Sequence, residues 1–96
     1  MFARVSTLQG SPERMEQGIS EYRDQTVPAA RQQKGFKGAY LLVDRKSGKA
    51  LSVTLWETEE DLRASDALAD RLRAQAAQTT VAASPAREVF EVAVEA

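Results

Sequence analysis

The sequence predicts a single α+β domain with the element order β-α-β-β-α-β, and three observations predict it. Short apolar segments lead twice into a good helix N-cap, first at Ser11 and again at Thr58. Between these two units, a tight turn at residues 45–48 joins two strand-like segments. The last segment, residues 87–95, alternates apolar and polar side chains as a strand does.

The first strand is expected at residues 2–8, and the first helix follows it. Ser11 is a favoured N-cap, and Pro12 suits the first helical position because that position needs no amide hydrogen. Four side chains recur at helical spacing and should form the inner face: Met15, Ile19, Tyr22 and Thr26. Pro28 lacks an amide hydrogen and crowds the preceding turn, so we expect a kink or break near residues 25–27. A last helical piece, residues 29–33, should end before Gly35.

The centre of the chain predicts a β-hairpin and a second helix. The strands are expected at residues 38–44 and 49–57, with Gly48 in the left-handed position of the turn. Thr58 should cap the helix, and the acidic residues 59–61 lie favourably at its positive end. The inner face of this helix is expected to hold Leu62, Ser65, Leu68, Ala69, Leu72 and Ala76.

A loop at residues 78–86 and a strand at residues 87–95 complete the domain. The whole chain, residues 1–96, is then one ferredoxin-like unit, with a four-stranded antiparallel sheet and two helices on one face.

The composition excludes several kinds of chemistry. The chain contains no Cys, no His and no Asn. It therefore has no thiolate nucleophile, no Cys-based metal site and no imidazole base, and we expect neither a metal nor a cofactor. Acid–base chemistry would fall to Asp, Glu, Tyr, Lys, an Arg-assisted water or the substrate. Adaptation to heat or an Ala- and Arg-rich genome explains the same absences equally well.

The charge pattern bounds the partners and the compartment. The net charge is −1 and the charges are interspersed, so no nucleic-acid or membrane partner is expected. The first residues carry no signal-peptide pattern and no apolar run is long enough to span a bilayer, so a cytoplasmic protein is expected.

Alternation along the strands divides the sheet into two faces. The more apolar set should lie under the helices: Val5, Ala39, Leu41, Val43, Leu51, Val53, Leu55, Phe90, Val92 and Val94. The opposite set would expose large side chains to water: Phe2, Tyr40, Leu42, Trp56 and Val89. We therefore expect a two-fold homodimer packed sheet to sheet, in which these side chains are buried. Arg4 and Glu91, also in this second set, could form a buried cross-strand ion pair.

Two motifs give the chain a resemblance to a known family over essentially its whole length. They are GFKGAYLLVD at residues 35–44 and LWETEEDL at residues 55–62. With the element order, they resemble the antibiotic-biosynthesis-monooxygenase-like domains of the dimeric α/β-barrel superfamily. That resemblance implies a homodimer and a place among three groups: cofactor-independent monooxygenases of phenols and quinols, haem-degrading enzymes, and small proteins of unknown role.

The haem-degrading branch uses three groups that this chain lacks. They are an Asn on the first strand, a second Trp about nine residues beyond the motif Trp, and a His near the end of the second helix. Here the first strand offers Arg4 and Ser6, the second Trp position falls at Ser65, and no His is present. The resemblance therefore argues against haem degradation by that mechanism.

Six residues are candidates for a ligand pocket, and no catalytic residue is assigned. They are Arg4, Tyr22, Tyr40, Thr54, Trp56 and Ser65. Each also has a purely structural interpretation: Trp56, the single tryptophan, is a natural packing residue at a strand end, and Tyr40 suits a core or an interface. The pocket could lie between helices and sheet or inside the dimer barrel.

Three functions remain open at this point. The first is a cofactor-independent monooxygenase of a small phenol or quinol, in which the protein binds, orients and stabilises developing charge with Tyr or Arg donors. The second is a protein that binds a small hydrophobic molecule without turnover. The third is a purely structural homodimer with a filled core.

Overall fold

The structure is a computed structural model, and it describes residues 1–67, 71 and 86–96. The strands are β1 (Phe2–Gln9), β2 (Phe36–Asp44), β3 (Lys49–Trp56) and β4 (Ala86–Glu91). They form one antiparallel sheet in the order β2-β3-β1-β4, which is the ferredoxin-like order that the sequence predicts. The predicted final strand is shorter than expected, because pairing along β4 ends at Glu91.

The first helical segment is continuous but irregular. A 3-10 turn (Pro12–Arg14) leads into α1 (Met15–Glu21), a π turn (Tyr22–Thr26) follows, and α2 (Val27–Arg31) completes the segment. Ser11 caps the start, where its side chain accepts a hydrogen bond from the Glu13 amide. The irregularity expected before Pro28 is therefore present as a widened turn, and the chain does not leave the helix there.

The remaining connections follow the predicted turn and cap chemistry. Gly35 and Gly48 both have a positive φ, at 81° and 80°, which glycine adopts without a steric penalty. Thr58 caps α3 (Glu59–Ala64) and accepts a hydrogen bond from the Asp61 amide. The predicted inner-face residues Leu68, Ala69, Leu72 and Ala76, and almost all of the predicted loop at residues 78–86, lie outside the described residues.

The prediction of which sheet face lies under the helices is wrong for β1 and β3. The pairing register aligns Arg4 with Thr54 and Ser6 with Ser52, and these side chains lie on the helix side. Trp56, expected at the dimer interface, is on that side too and is 1% exposed. The apolar set of Val5, Leu51, Val53 and Leu55 occupies the open face.

The prediction of the covered face is correct for β2 and wrong for β4. Leu41 pairs with Ser52 and faces the helices, whereas Tyr40 and Leu42 lie on the open face, 60% and 50% exposed. On β4, Val89 pairs with Arg4 on the helix side and Phe90 lies on the open face. The reason is that the polar side chains of the inner face find hydrogen-bond partners in the helical layer, so apolarity alone does not identify the covered face.

None of the helices in the described part of the chain is long and apolar enough to cross a bilayer.

Candidate functional site: a pocket between the helical layer and the sheet

A pocket opens between α1 and the helix side of the sheet. It contains about 540 Å³ of empty space, part of which is open to solvent. Its walls are mostly apolar, and the apolar side chains come from β1, α1, β2 and β3: Leu8, Met15, Ile19, Leu41 and Ala50. An apolar lining with a few polar groups is typical of a site for a small organic molecule.

A few polar groups interrupt the apolar wall. Ser11 lies at the start of the helical segment, and Glu21, Tyr22 and Thr26 lie along it. Glu21 is the charged residue among the described residues that line the pocket. The described lining therefore offers hydroxyl groups and one carboxylate, and no cation to balance an anionic ligand.

Tyr22 connects the helical layer to the sheet through its hydroxyl. The phenolic oxygen lies 2.9 Å from Oγ of Ser52 on β3, where either group can donate. It also donates, at the longer distance of 3.4 Å, to the backbone carbonyl of Tyr40 on β2. When Ser52 donates to Tyr22, the phenolic proton is free to turn from the long carbonyl contact toward a ligand oxygen.

Burial raises the pKa of the Tyr22 phenol above its ordinary value of 10.0, and the hydrogen bond from Ser52 offsets part of this effect. The phenol therefore stays neutral at physiological pH and remains a hydrogen-bond donor. A neutral donor in an apolar wall is suited to bind a carbonyl or phenolic oxygen.

Gly18 provides room at the helical wall of the pocket. It lies inside α1, where glycine is less favourable than alanine by about 1 kcal/mol. Because Gly18 lines the pocket, a substitution at this position changes the pocket wall itself.

A second cluster surrounds Arg4 at the other end of the interlayer space. Arg4 is 4% exposed, and its Nη2 atom donates to the carbonyl of Leu62 and to Oγ of Ser65, each at 2.7 Å. The same nitrogen forms an ion pair with Asp66 at 2.7 Å. Asp66 also forms an ion pair with Arg87 of β4, in which Nη1 of Arg87 lies 3.4 Å from Oδ1 of Asp66. The cluster therefore fixes the C-terminal end of α3 to two strands.

The ion pair predicted between Arg4 and Glu91 is not the pair that forms. Glu91 pairs with Phe2 in the sheet register and is exposed, whereas the carboxylate of Asp66 reaches Arg4 from the helical layer. The helix-side orientation of Arg4 is the reason, because it brings the guanidinium under the end of α3.

Trp56 anchors this same cluster. Its indole N–H donates to Oγ1 of Thr54 at 3.0 Å, so this buried donor has a partner. The ring meets Phe36 edge-on, with centroids 5.6 Å apart, and the Arg4 guanidinium lies 5.7 Å from its centroid. These contacts fill the space around Trp56 with protein side chains.

The six candidate residues thus fall into three places. Tyr22 lines the pocket. Four others, Arg4, Thr54, Trp56 and Ser65, are buried together in the cluster under α3. Tyr40 lies on the open face of the sheet, where its side chain points away from the pocket.

Sequence reasoning missed Gly18 and Glu21 as pocket residues and Asp66 as the partner of Arg4. A glycine inside a predicted amphipathic helix was the available signal for Gly18, because such a position is unfavourable unless space is needed. No comparable signal exists for Asp66, whose contact with Arg4 spans 62 positions of sequence.

The described part of the chain contains no group of three or more acidic residues that could hold a metal ion.

Comparison with known proteins gives relatives by sequence and neighbours by structure. No family model matches the chain. Two uncharacterised proteins of Mycobacterium tuberculosis are similar: Rv2557, 36% identical over 93 residues, and Rv2558, 40% identical over 65 residues. These stretches cover 97% and 68% of this chain, but only 41% and 28% of the two relatives. The chain thus spans less than half the length of the curated relatives it matches.

Solved structures share the fold at low sequence identity. A Streptomyces coelicolor monooxygenase in complex with nanaomycin D has a TM-score of 0.77 and 17% identity, over 93% of this chain and 84% of that one. A haem degrader of M. tuberculosis with two haems in its active site has a TM-score of 0.77 and 19% identity, over 100% and 99%. A Deinococcus radiodurans protein assigned to the antibiotic biosynthesis monooxygenases has a TM-score of 0.75 and 19% identity, over 100% and 95%.

These neighbours identify the fold of the chain. It has the ferredoxin-like α+β architecture that is also found in those monooxygenase and haem-degrading proteins. At this level of identity the likeness establishes the fold alone.

Proposed function

We propose that the pocket beside α1 binds a small, uncharged aromatic molecule that carries a phenolic or quinol oxygen, and that the chain catalyses its cofactor-independent oxygenation by molecular oxygen. The observation that carries the proposal is the neutral hydroxyl of Tyr22 in an otherwise apolar wall. An aromatic ring fits the apolar side chains, and the ligand oxygen accepts a hydrogen bond from the Tyr22 hydroxyl. Two fold neighbours that hold nanaomycin D and haem support small-molecule binding by this architecture.

The described residues that line the pocket include one charged group, the carboxylate of Glu21, and they therefore favour an uncharged ligand over an anion. Glu21 would repel a carboxylate or sulfonate, and Arg4 is held in the separate cluster by Ser65 and Asp66. Burial of an unpaired anion in an apolar pocket is strongly unfavourable. We therefore expect 1-naphthol to bind at least about tenfold more tightly than 1-hydroxy-2-naphthoic acid, which adds a carboxylate to the same ring.

The oxidation can be balanced without an external reductant. A phenol with a free ring position takes up one O2 and becomes a quinone: one oxygen atom forms the new carbonyl, and the other leaves as water. Both hydrogens of that water come from the substrate, and the four electrons that reduce O2 come from the ring. Glu21 is the described pocket carboxylate and so the candidate acceptor of the phenolic proton, while Tyr22 donates to the oxygen on which charge develops.

Haem is a poor match to this site. Its propionates are anionic, and the chain has no His to serve as an axial ligand. Ser65, which the resemblance to haem-degrading domains places at their second Trp position, is 2% exposed and accepts a hydrogen bond from Arg4. We propose that haem is not the substrate.

The test measures binding and oxygen consumption on the same protein. Calorimetry with 1-naphthol should show binding, and Tyr22→Phe should weaken it about five- to tenfold, the value of one hydrogen bond in a buried site. Tyr40→Phe, the matched control on the open face, should bind as the wild type does. Oxygen uptake above buffer with a panel of naphthols and quinols should follow, and Glu21→Gln should lower its rate.

Two outcomes would change the conclusion. Binding without oxygen uptake for any compound in the panel would contradict the oxygenation and leave a binding protein. Absence of binding for every compound would favour the structural homodimer.

A second copy of the chain is the partner that we propose for the open face of the sheet. This face presents apolar side chains from all four strands: Val5, Tyr40, Leu42, Leu51, Val53, Leu55 and Phe90. Covering a fully exposed apolar side chain of this size would contribute on the order of 1.5–3 kcal/mol. A two-fold related copy presents the same apolar surface and so satisfies both sheets at once.

A further inference from the structure

The helical segment above the pocket contains one π turn, Tyr22–Thr26, between α1 and α2. The amide of Val27 donates to the carbonyl of Tyr22, five residues earlier, in place of the four-residue spacing of an α-helix. A π turn therefore holds one more residue than an α turn. Such widened turns are frequent at functional sites.

Pro28 supplies a local cause for this turn. It has no amide hydrogen to donate to the carbonyl of Asp24, and in a regular α-helix its ring would clash with that carbonyl. Widening the turn relieves the clash and lets the chain stay helical to Arg31. Pro28 itself is exposed and is not among the pocket residues.

The π turn has its two ends on the pocket. Tyr22 and Thr26, its first and last residues, both line the cavity. The segments on either side are independently fixed, because Met15 of α1 and Ala30 of α2 are both buried. Tyr22 therefore lies between two anchored helices, α1 and α2, and the π turn sets the rotation of one relative to the other. That rotation decides whether the Tyr22 hydroxyl reaches Ser52.

We propose that Pro28 is a positioning residue, which acts through the π turn to hold the Tyr22 hydroxyl against Ser52 and toward the pocket. Restoring an α turn would remove one residue from the turn and rotate α1 against α2 by on the order of 100°. The two anchors cannot both keep their places on the sheet after such a rotation. Tyr22, which lies at the junction, would lose its contact with Ser52.

The direct test uses the ionisation of Tyr22 and needs no ligand. The chain has two tyrosines, so Tyr40→Phe leaves Tyr22 as the single phenol whose titration is followed by absorbance near 295 nm. In that background, Pro28→Ala should raise the acid dissociation constant of the phenol about threefold or more, as Tyr22 becomes more exposed to water. Gln25→Ala, an exposed change within the π turn that keeps Pro28, should leave the titration unchanged.

The second arm measures 1-naphthol binding and rests on the proposed function. Pro28→Ala should weaken the affinity about fivefold or more, although no pocket side chain is altered, and Gln25→Ala should not. A shifted Tyr22 titration in a protein whose wild type binds no phenol would sink the proposed function while supporting the role of Pro28.

A folded Pro28→Ala protein with the wild-type titration would overturn the proposal. If Pro28→Ala does not fold, deletion of Gln25 removes the extra residue of the turn while keeping the proline, and the same titration is read on that variant. An unchanged Tyr22 ionisation in the deletion variant would be equally decisive against the proposal.

Discussion

The hydroxyl of Tyr22 lies 2.9 Å from Oγ of Ser52, and this contact joins the helical layer to the third strand at the edge of the pocket. Tyr22 stands at the first position of the π turn, and Ser52 stands on the sheet face that the helices cover. A single contact therefore links the π turn to the sheet and holds the polar group of the candidate site in place.

The first prediction concerns the pH dependence of stability. Burial raises the pKa of Tyr22 in the folded state above the ordinary value of 10.0, so the folded chain holds this proton more tightly than the unfolded chain does. The resulting stabilisation is fully present below pH 10 and is lost as the pH rises through the folded-state pKa. Urea unfolding between pH 8 and about pH 11 should show that the free energy of unfolding of the wild type falls above pH 10. The fall should be smaller in Tyr22→Phe. An equal loss in the wild type and in Tyr22→Phe would contradict the assignment to Tyr22.

The second prediction concerns the buried cluster under α3. Arg4→Ala should lower the free energy of unfolding by about 3–5 kcal/mol, because it removes the ion pair with Asp66 and the hydrogen bonds to α3 and leaves a void beside Trp56. Urea unfolding at pH 7 measures this change.

The control for Arg4 is an arginine in an exposed pair. Arg63 bonds Glu59 one helical turn earlier, and Arg63→Ala should cost no more than about 0.5 kcal/mol. Similar small losses for both variants would show that the cluster does not fix α3 to the sheet.

The third prediction concerns the open face of the sheet. The wild-type chain should have twice its monomer mass at micromolar concentration, and Leu42→Glu should return it to the monomer because a charge on this face is incompatible with burial. Light scattering reads the mass directly. Gln17→Glu, on the exposed side of α1, should remain dimeric. A wild-type monomer would contradict the sheet-to-sheet dimer.

Local sequence signals were sufficient for the order of the elements. Ser11 and Thr58 both act as caps, and Gly35 and Gly48 both adopt a positive φ, because each of these roles is decided within a few residues. Four short strands and two capped helices then leave few arrangements that pair neighbouring strands antiparallel.

The sequence could not decide which face of the sheet lies under the helices. Val5 and Val53 belong to the more apolar set, yet the helices cover the side of Arg4 and Ser52. Large apolar side chains occur on both faces, such as Leu41 on the helix side and Leu42 on the open side, so hydrophobicity alone does not distinguish the two faces. The choice depends on hydrogen bonds between distant residues, such as Arg4 with Ser65 and Tyr22 with Ser52, which no local pattern encodes.

If a small uncharged aromatic molecule occupies the pocket beside α1, a larger side chain in the pocket wall should weaken its binding. Gly18→Leu enlarges a residue of the pocket wall at a helical position, where leucine is also a better helix former than glycine. Gln17→Leu adds the same side chain on the exposed surface one residue earlier and is the matched control. Calorimetric titration with 1-naphthol should show binding to the wild type and to Gln17→Leu, and at least about tenfold weaker binding to Gly18→Leu. Equal affinity for Gly18→Leu and the wild type would show that the ligand binds elsewhere and would contradict the account.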